Sequence, residues 1–265
     1  MSKHPWFKLL LGLLLALGGC RRAEHPADVQ VAVASDLRYA FEALRARFEA
    51  VYPNIRLIPS YGASGQLFTQ LQNGAPFDLY FSADADYPRR LIAEGLAVDS
   101  SFFQYALGQL VVWVPEDSPL TLASWEELAG PQVHRLALAN PRHAPYGRAA
   151  VAALKALGLY ARVRDRLVFG ENVAQAAQFV ASGAADAGLI ALSLARAPEM
   201  QERGRYRPLP PETYPPIEQG AVVLQRAAHR PEVWTFWRFV QRPEGRAVLR
   251  QYGFALPDAT DHPES

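Results

Sequence analysis

The sequence predicts an α/β protein with two lobes, each built from a mostly parallel β-sheet flanked by helices. Short apolar segments of strand length alternate with longer segments whose apolar residues recur at helical spacing, which is the pattern of β-α-β units. This alternation begins near residue 29, runs to a continuous apolar segment at 107–114, and then starts again. Half of the 265 residues are hydrophobic, which is enough for two substantial cores.

The first half of the chain shows the alternation plainly. Residues 29–33 (VQVAV) predict a buried strand, and residues 37–52 carry apolar side chains at helical spacing until Pro53 ends the helix. Further strands are predicted at 55–58, 77–82 and 107–114, and further helices from the turn at 62–65 through Leu71 and over 87–94.

The second half of the chain repeats the pattern of alternating strands and helices, and its last part follows a proline-rich connector. Strands are predicted at 135–139, 166–169, 187–191 and 220–224, and helices near 124–128 and over 146–157, 173–182, 233–240 and 245–252. Prolines are dense from Pro208 to Pro216, which predicts an extended connector. If the chain then returns to the first lobe, two connections join the lobes and form a hinge. The predicted lobes are 29–107 with 218–258, and 108–217, followed by a tail at 259–265.

The first 20 residues have the layout of a bacterial export signal. Two lysines precede an apolar run at 9–17, and this run is too short for a membrane-spanning helix. The residues Leu17-Gly18-Gly19-Cys20 match the site at which bacterial lipoproteins are cleaved and lipidated. We therefore expect a signal peptide at 1–19, lipidation of Cys20 and a linker at 20–28, with the protein anchored in the periplasm or at the cell-envelope surface. Since Cys20 is the only cysteine, no disulfide is expected.

Charge and motif content argue against two broad classes of function. The chain has 27 basic and 26 acidic residues, so it lacks the basic excess of a nucleic-acid-binding protein. It also lacks the Gly-x-Ser-x-Gly, GxxxxGK[ST] and His-Glu-x-x-His motifs, and its six histidines are scattered. We therefore expect a monomeric binding protein rather than an enzyme, with no catalytic residues, no cofactor and no metal site.

Three strand-to-helix junctions are candidate binding sites for an anion. A helix N-terminus presents unpaired backbone N–H groups and a partial positive charge. The junctions lie at Ser35-Asp36, at 62–65 (GASG) and at 170–173 (GENV). Each junction also has a simpler interpretation, because Ser, Asp and Asn are the usual helix caps.

Six segments resemble, in order, those of the molybdate-binding proteins of ABC importers, over nearly the whole chain beyond the signal. They are VAVASDLRYAFEAL, SYGASGQLFTQLQNGAPFDLYFSADADYPRRL, YALGQLVVWVP, LANPRHAPYGRAAVAAL, GENVAQAAQFVASGAADAGLIALS and RQYGFALP. The resemblance implies a type II periplasmic-binding fold, in which two lobes joined by a two-segment hinge close over an oxyanion. It also implies molybdate or tungstate as the ligand, and a membrane permease with its cytoplasmic ATPase as partners.

The resemblance assigns ligand contacts to five positions: Ser35, Asp36, Ser64, Tyr146 and the backbone N–H of Val173. In the family these contacts are mostly hydroxyls and amides, which hold a dianion by fixed hydrogen bonds without a counter-charge. The size of the tetrahedral anion then selects molybdate and tungstate over the smaller sulfate.

Two positions depart from the family pattern. Some members carry a tyrosine where this chain has Ala191, so Tyr146 is expected to supply the phenol instead. Asp36 stands where Ser or Asn is usual, and a carboxylate about 4 Å from a dianion costs several kcal/mol even at an effective dielectric constant near 20. Asp36 could turn away as a helix cap, be protonated, or accept a hydrogen bond from a ligand that carries a proton.

These departures leave two alternative functions open. A ligand that carries its own proton would make the protein a receptor for an oxyanion such as phosphate or arsenate, or for a small organic solute. The other alternative, from a different class, is a lyase or hydrolase on the same lobes that uses Asp36 and Tyr146.

Overall fold

The computed structural model describes residues 26–257. The predicted signal peptide at 1–19, Cys20 and the tail at 259–265 therefore lie outside the described residues. Of the predicted linker at 20–28, the last two residues belong to the first strand instead, because their backbone pairs with the neighbouring strand from Ala27 onward.

The strands among residues 26–257 are β1 (Ala27–Ala34), β2 (Ile55–Gly62), β3 (Leu79–Ser82), β4 (Phe103–Gly108), β5 (Leu110–Pro115), β6 (Leu136–Ala139), β7 (Leu167–Gly170), β8 (Ala187–Ala191), β9 (Gly204–Pro208) and β10 (Ile217–Val223). The helices of the same part are α1 (Arg38–Val51), α2 (Ser64–Gln72), α3 (Asp86–Ala93), α4 (Pro145–Ala156), α5 (Tyr160–Val163), α6 (Val173–Ala181), α7 (Leu192–Ala195), α8 (Pro198–Gln201), α9 (Pro231–Gln241) and α10 (Pro243–Gln251). Short 3-10 turns, including Ser35–Leu37 before α1 and Trp125–Ala129, join them.

The strands form two five-stranded sheets. Lobe 1 contains the sheet with the order β2-β1-β3-β10-β4, and lobe 2 contains the sheet with the order β7-β6-β8-β5-β9. The pairings are parallel on the β1 and β6 sides and antiparallel around β10 and β5. Four strands of each sheet therefore point the same way. The reversed strand, β10 or β5, is the one by which the chain enters that lobe after crossing from the other.

The predicted single strand at 107–114 is wrong. The structure divides this apolar run into the end of β4 and most of β5, which lie in different sheets and are separated by Gln109. Both pieces are largely buried, so the run stays apolar across the crossing and hydrophobicity alone does not reveal where one strand ends. This point is the first passage of the chain between the lobes.

The second passage runs from the end of β9 to the start of β10. It lies beside the first, because the Tyr214 hydroxyl accepts a hydrogen bond from the backbone N–H of Leu110 at 3.1 Å. Beyond it the chain returns to lobe 1, where β10 inserts between β3 and β4. An ion pair of 2.7 Å between Arg230 and the fully buried Asp78 ties this returning segment to lobe 1.

The cores of the lobes differ in composition. Aromatic rings dominate in lobe 1, where Phe41, Phe48 and Phe236 pack edge to face with centroids 5.0 to 5.6 Å apart. The core of lobe 2 is mainly aliphatic and rich in alanine. It continues into Ala34 and Ala63 of lobe 1, so the two lobes are packed against each other in a closed arrangement.

Within residues 26–257, the structure contains no helix whose length and apolar content would allow it to cross a bilayer.

Candidate ligand-binding site

All five residues that the resemblance assigns to the ligand line one cavity between the lobes. Ser35, Asp36 and Ser64 come from lobe 1, and Tyr146 and Val173 come from lobe 2. The cavity is small, and small residues complete its walls: Ala34, Gly62, Ala63, Ala83, Ala144 and Pro145. Such a cavity suits a small, compact ligand.

Helix N-termini from both lobes point at this cavity. Ser64 is the first residue of α2, Val173 is the first residue of α6, and Tyr146 is the second residue of α4. The backbone N–H groups of Ser64 and Val173 have no hydrogen-bond partner among the described residues, as expected for the first turn of a helix. The two lobes therefore present unpaired N–H groups to the same small space.

The capping interpretation holds at one of the three junctions. Asn172 caps α6, because its side-chain oxygen accepts a hydrogen bond from the backbone N–H of Gln175 at 3.1 Å. The short turn at Ser35–Leu37 and helices α1 and α2 have no side-chain cap. Ser35, Asp36 and Ser64 are thus not engaged as helix caps.

The Ser64 side chain is oriented by its surroundings. Its Oγ accepts a hydrogen bond from the backbone N–H of Ala83 at 3.0 Å, and its carbonyl oxygen accepts one from the Tyr80 hydroxyl at 2.7 Å. Because the Oγ accepts from the protein, its own proton is left to donate to a ligand.

Gln219 is a site residue that the sequence analysis missed. Its side chain is fully buried, and its Nε2 donates to Oδ2 of Asp36 at 2.5 Å and to the Tyr146 hydroxyl at 3.2 Å. Gln219 lies on β10 at a bulge, where the register against β4 shifts. A bulge re-aims a side chain, and the predicted strand at 220–224 excluded this position. A glutamine next to Gly220 in an apolar strand is the one signal that could have revealed it.

Tyr146 is also completely enclosed. Its ring is 2 % exposed, and its hydroxyl lies against Gly108, where any larger residue would collide with it. The glycine at the end of β4 therefore provides the space for the phenol at the hinge end of the cavity. Burial, followed by the nearby Asp36 charge, raises the pKa of Tyr146 well above its usual range, so the phenol stays protonated.

Asp36 is a buried carboxyl group, and no cation among the described residues lowers its pKa. It is 1 % exposed, and burial raises its pKa from 3.8 to about 6. Hydrogen bonding to Gln219, Tyr146 and nearby backbone N–H groups opposes this rise but does not cancel it. The second oxygen, Oδ1, is buried and has no hydrogen-bond partner among the described residues.

The charge of Asp36 matters because the cavity is predicted to hold an anion. At an effective dielectric constant near 20, two unit charges about 4 Å apart repel each other by about 4 kcal/mol. Protonating a group with a pKa of about 6 at pH 7.5 costs about 2 kcal/mol. Protonation therefore costs less than keeping a carboxylate next to a bound anion.

Direct contacts between the lobes surround the cavity. The backbone N–H of Gly65 donates to the carbonyl oxygen of His143 at 2.9 Å, and the Ser193 hydroxyl donates to the carbonyl oxygen of Asp36 at 2.7 Å. At the mouth of the cleft, Arg148 of lobe 2 forms an ion pair with Asp84 of lobe 1. These contacts hold the closed form.

Across residues 26–257, no group of three or more His, Cys, Asp or Glu side chains is arranged to hold a metal ion.

Comparisons with known proteins agree with this architecture. The molybdate-binding protein ModA of Azotobacter vinelandii is 35 % identical over 249 residues, which cover 94 % of this chain and 97 % of the relative. ModA of Rhodobacter capsulatus is 35 % identical over 195 residues, which cover 74 % and 75 %. The solved periplasmic molybdate-binding protein of A. vinelandii superposes with a TM-score of 0.82 at 32 % identity, covering 86 % of this chain and 99 % of that one.

The profile of a large bacterial family covers both lobes. Its description is bacterial extracellular solute-binding protein, and it matches residues 29–255. This match includes every residue that lines the cavity. Together with relatives identical at about a third of positions over most of their length, it shows that the chain belongs to the bacterial extracellular solute-binding protein family.

Proposed function

We propose that this protein captures molybdate, and tungstate with it, in the cavity between its lobes and delivers it to a membrane permease. The two relatives that are 35 % identical are named molybdate-binding proteins, and the solved neighbour with a TM-score of 0.82 carries the same description. The site chemistry supports the same ligand class. The observation that carries the proposal is that unpaired N–H groups of Ser64 and Val173 meet from opposite lobes at one small cavity.

Neutral dipoles do the binding in this proposal. The Ser35 and Ser64 hydroxyls and the helix N-termini supply directed donors, and no basic side chain from residues 26–257 lines the cavity. Preorganised donors of this kind hold an anion without the cost of rearranging solvent around it. The ligand bridges the lobes, so its binding stabilises the closed form.

Like these relatives, the protein is a binding protein and not an enzyme. The alternative of a lyase or hydrolase that uses Asp36 and Tyr146 is therefore wrong. Solute-binding proteins of molybdate ABC importers act outside the cytoplasm with a permease and its ATPase, and we assign this chain the same partners. We further propose that it acts as a monomer.

Attachment to the membrane through Cys20 belongs to the same proposal. The supporting observation is the run Leu17-Gly18-Gly19-Cys20 directly after an apolar segment. Expression of the full chain in a bacterium supplied with a labelled fatty acid should give a labelled protein, and Cys20→Ser should abolish the label. An unlabelled parent protein would contradict the anchor.

Calorimetry of the purified protein tests the ligand. Molybdate and tungstate should bind tightly, and sulfate and phosphate should bind at least about a hundredfold more weakly. Ser64→Ala should weaken molybdate binding about tenfold or more, since it removes a hydrogen bond to a charged group. Ser182→Ala, an exposed serine of lobe 2, is the matched control and should bind like the parent. Tighter binding of phosphate than of molybdate would favour the protonated-oxyanion alternative that Asp36 suggests.

A further inference from the structure

The presence of Asp36 in the cavity is not explained by anion binding through neutral dipoles alone. It is a carboxyl group at a site for an anion, it is buried, and its Oδ1 has no partner among the described residues. A buried oxygen without a partner costs stability unless something else supplies the contact. At this location, the hydrogen-bond partner of Asp36 Oδ1 can be supplied by the ligand or by a proton bound to Oδ1. This inference rests on the proposed function.

Within the part of the chain that the structure describes, no cation compensates Asp36 from the elements packed around it. The titratable groups that interact with its charge are the phenols of Tyr105 on β4 and Tyr146 on α4, and burial raises the pKa of both, which keeps them neutral. The side chains that bond to it or to its backbone from β10 and α7, Gln219 and Ser193, carry no charge.

Two basic residues on the elements around the cleft have other contacts. Arg38, two residues along the chain, lies over the ring of Tyr61 at 5.3 Å. Arg148 at the mouth of the cleft is paired with Asp84. The charge on Asp36 is therefore not neutralised by either arginine. When an anion enters the cavity, Asp36 loses this charge by binding a proton.

We propose that the oxyanion enters the closed site together with one proton, which Asp36 holds on Oδ1 and donates as a hydrogen bond to a ligand oxygen. The proton comes from solvent, and one O–H bond forms on the carboxyl group. No other bond changes and nothing is oxidised or reduced. Oδ2 keeps its hydrogen bond from Gln219, so the cluster is rearranged only by the added proton.

This arrangement makes Asp36 a residue that determines specificity. A protonated carboxyl group supplies a neutral O–H donor, as a serine at this position would. The same group in its charged form repels a dianion, so the protein binds its ligand weakly when protons are scarce. Burial raises the pKa of Asp36 from 3.8 to about 6 in the closed protein. Protonating the carboxyl group near neutral pH therefore costs only a modest free energy.

Proton uptake on binding is measured by calorimetry with molybdate at pH 7.5 in Hepes and in Tris, whose ionisation enthalpies differ. The parent protein should take up nearly one proton per molybdate. Its affinity should rise up to about tenfold per pH unit as the pH falls from 8 toward 6, and then level off. Asp36→Asn should take up almost none, bind with little pH dependence, and bind molybdate at least about tenfold tighter than the parent at pH 8.

Asp165→Asn is the control, because it removes the same charge from a side chain that is 87 % exposed in lobe 2. It should behave like the parent. If the parent protein binds molybdate without taking up a proton, the proposal is wrong, and this measurement needs no variant to fold. If Asp36→Asn takes up the same proton as the parent, another group holds it and the assignment to Asp36 is wrong. Failure of the parent to bind either molybdate or tungstate would instead overturn the proposed function, and this inference with it.

Discussion

The backbone N–H of Gly65, at the start of α2 in lobe 1, donates a 2.9 Å hydrogen bond to the carbonyl oxygen of His143 in lobe 2. This bond joins main chain to main chain across the cleft, so it exists only when the lobes are closed. His143 contributes its backbone carbonyl rather than its ring to this contact. Closure can therefore be tested independently of ligand chemistry.

Saturating molybdate should shrink the radius of gyration measured by solution X-ray scattering. The contacts between Gly65 and His143 and between Ser193 and Asp36 form together, and a ligand that bridges the lobes favours the state in which they exist. An unchanged scattering curve at a molybdate concentration that calorimetry shows to be saturating would contradict closure by the hinge.

Gly65→Ala should weaken molybdate binding about tenfold or more without destabilising the ligand-free protein. A Cβ at this position would lie 2.9 Å from the His143 carbonyl oxygen of lobe 2, so it obstructs closure. It would also lie 2.8 Å from the Tyr87 hydroxyl of lobe 1, which is the far end of a flexible side chain. In the open form the contact with His143 is absent and the Tyr87 side chain needs to shift only slightly, while alanine favours a helix over glycine by up to about 1 kcal/mol.

Affinity and stability should thus move in opposite directions in this variant. Calorimetry measures the first and thermal unfolding without ligand measures the second. Gln70→Ala, exposed on the same helix, is the control and should leave affinity unchanged. Parent-like affinity of Gly65→Ala would mean that the observed closed form is not the one that binds.

Tyr146→Phe should weaken molybdate binding by about 1.5 to 3 kcal/mol, which corresponds to roughly 10- to 150-fold in the dissociation constant. The Tyr146 hydroxyl accepts from Gln219 at 3.2 Å, and we expect its own proton, which bonds to Asp36 in the ligand-free site, to turn to the ligand when the anion binds. The ring itself stays buried in the variant, and packing should change little. A variant that binds as tightly as the parent would remove the Tyr146 hydroxyl from the site.

Asp36→Asn should stabilise the ligand-free protein at neutral pH but not in acid. The folded pKa of Asp36 is about 6, against 3.8 for the free group, so the folded protein binds more protons than the unfolded chain between these values. Stability is therefore lost as the pH rises through about 4 to 6. The difference of roughly two pKa units corresponds to about 3 kcal/mol.

Urea unfolding in the absence of oxyanions measures this effect. The variant should exceed the parent by up to about 3 kcal/mol at pH 7.5 and by little at pH 4. Equal stability of the two proteins at both pH values would show that Asp36 is not buried as a charged group in the ligand-free protein.

Most long elements of the fold could be predicted from the sequence, and the exceptions have two causes. Helices such as α1 and α9 show a clear apolar stripe, and strands such as β8 are apolar runs of the right length. The boundary between β4 and β5 was missed because each strand is buried in its own sheet. One-turn helices such as α7 were missed because four residues are too few to show a period.

The residues of the candidate site likewise divide into five that the sequence predicted and one that it did not. Ser35, Asp36, Ser64 and Val173 were selected by their position at strand-to-helix junctions and by family resemblance. Tyr146 was selected by the resemblance alone, and all five line one cavity in the structure. Gln219 was not selected, since it lies about 70 residues beyond Tyr146 on a strand that shows no motif. Its place between Asp36 and Tyr146 depends on the returning strand β10 and on the bulge that turns its side chain inward.

The sequence by itself determined that this is a two-lobed α/β protein whose helix N-termini are candidate sites for an anion, because periodicity, capping residues and glycine turns are local properties that can be read along the chain. Only the tertiary structure decided the surroundings of Asp36. Whether a carboxyl group is solvated, paired with a cation or buried beside a glutamine depends on residues distant in sequence, and burial rather than residue type raises its pKa to about 6. The chemistry of the site is therefore set by which segments the fold brings to Asp36.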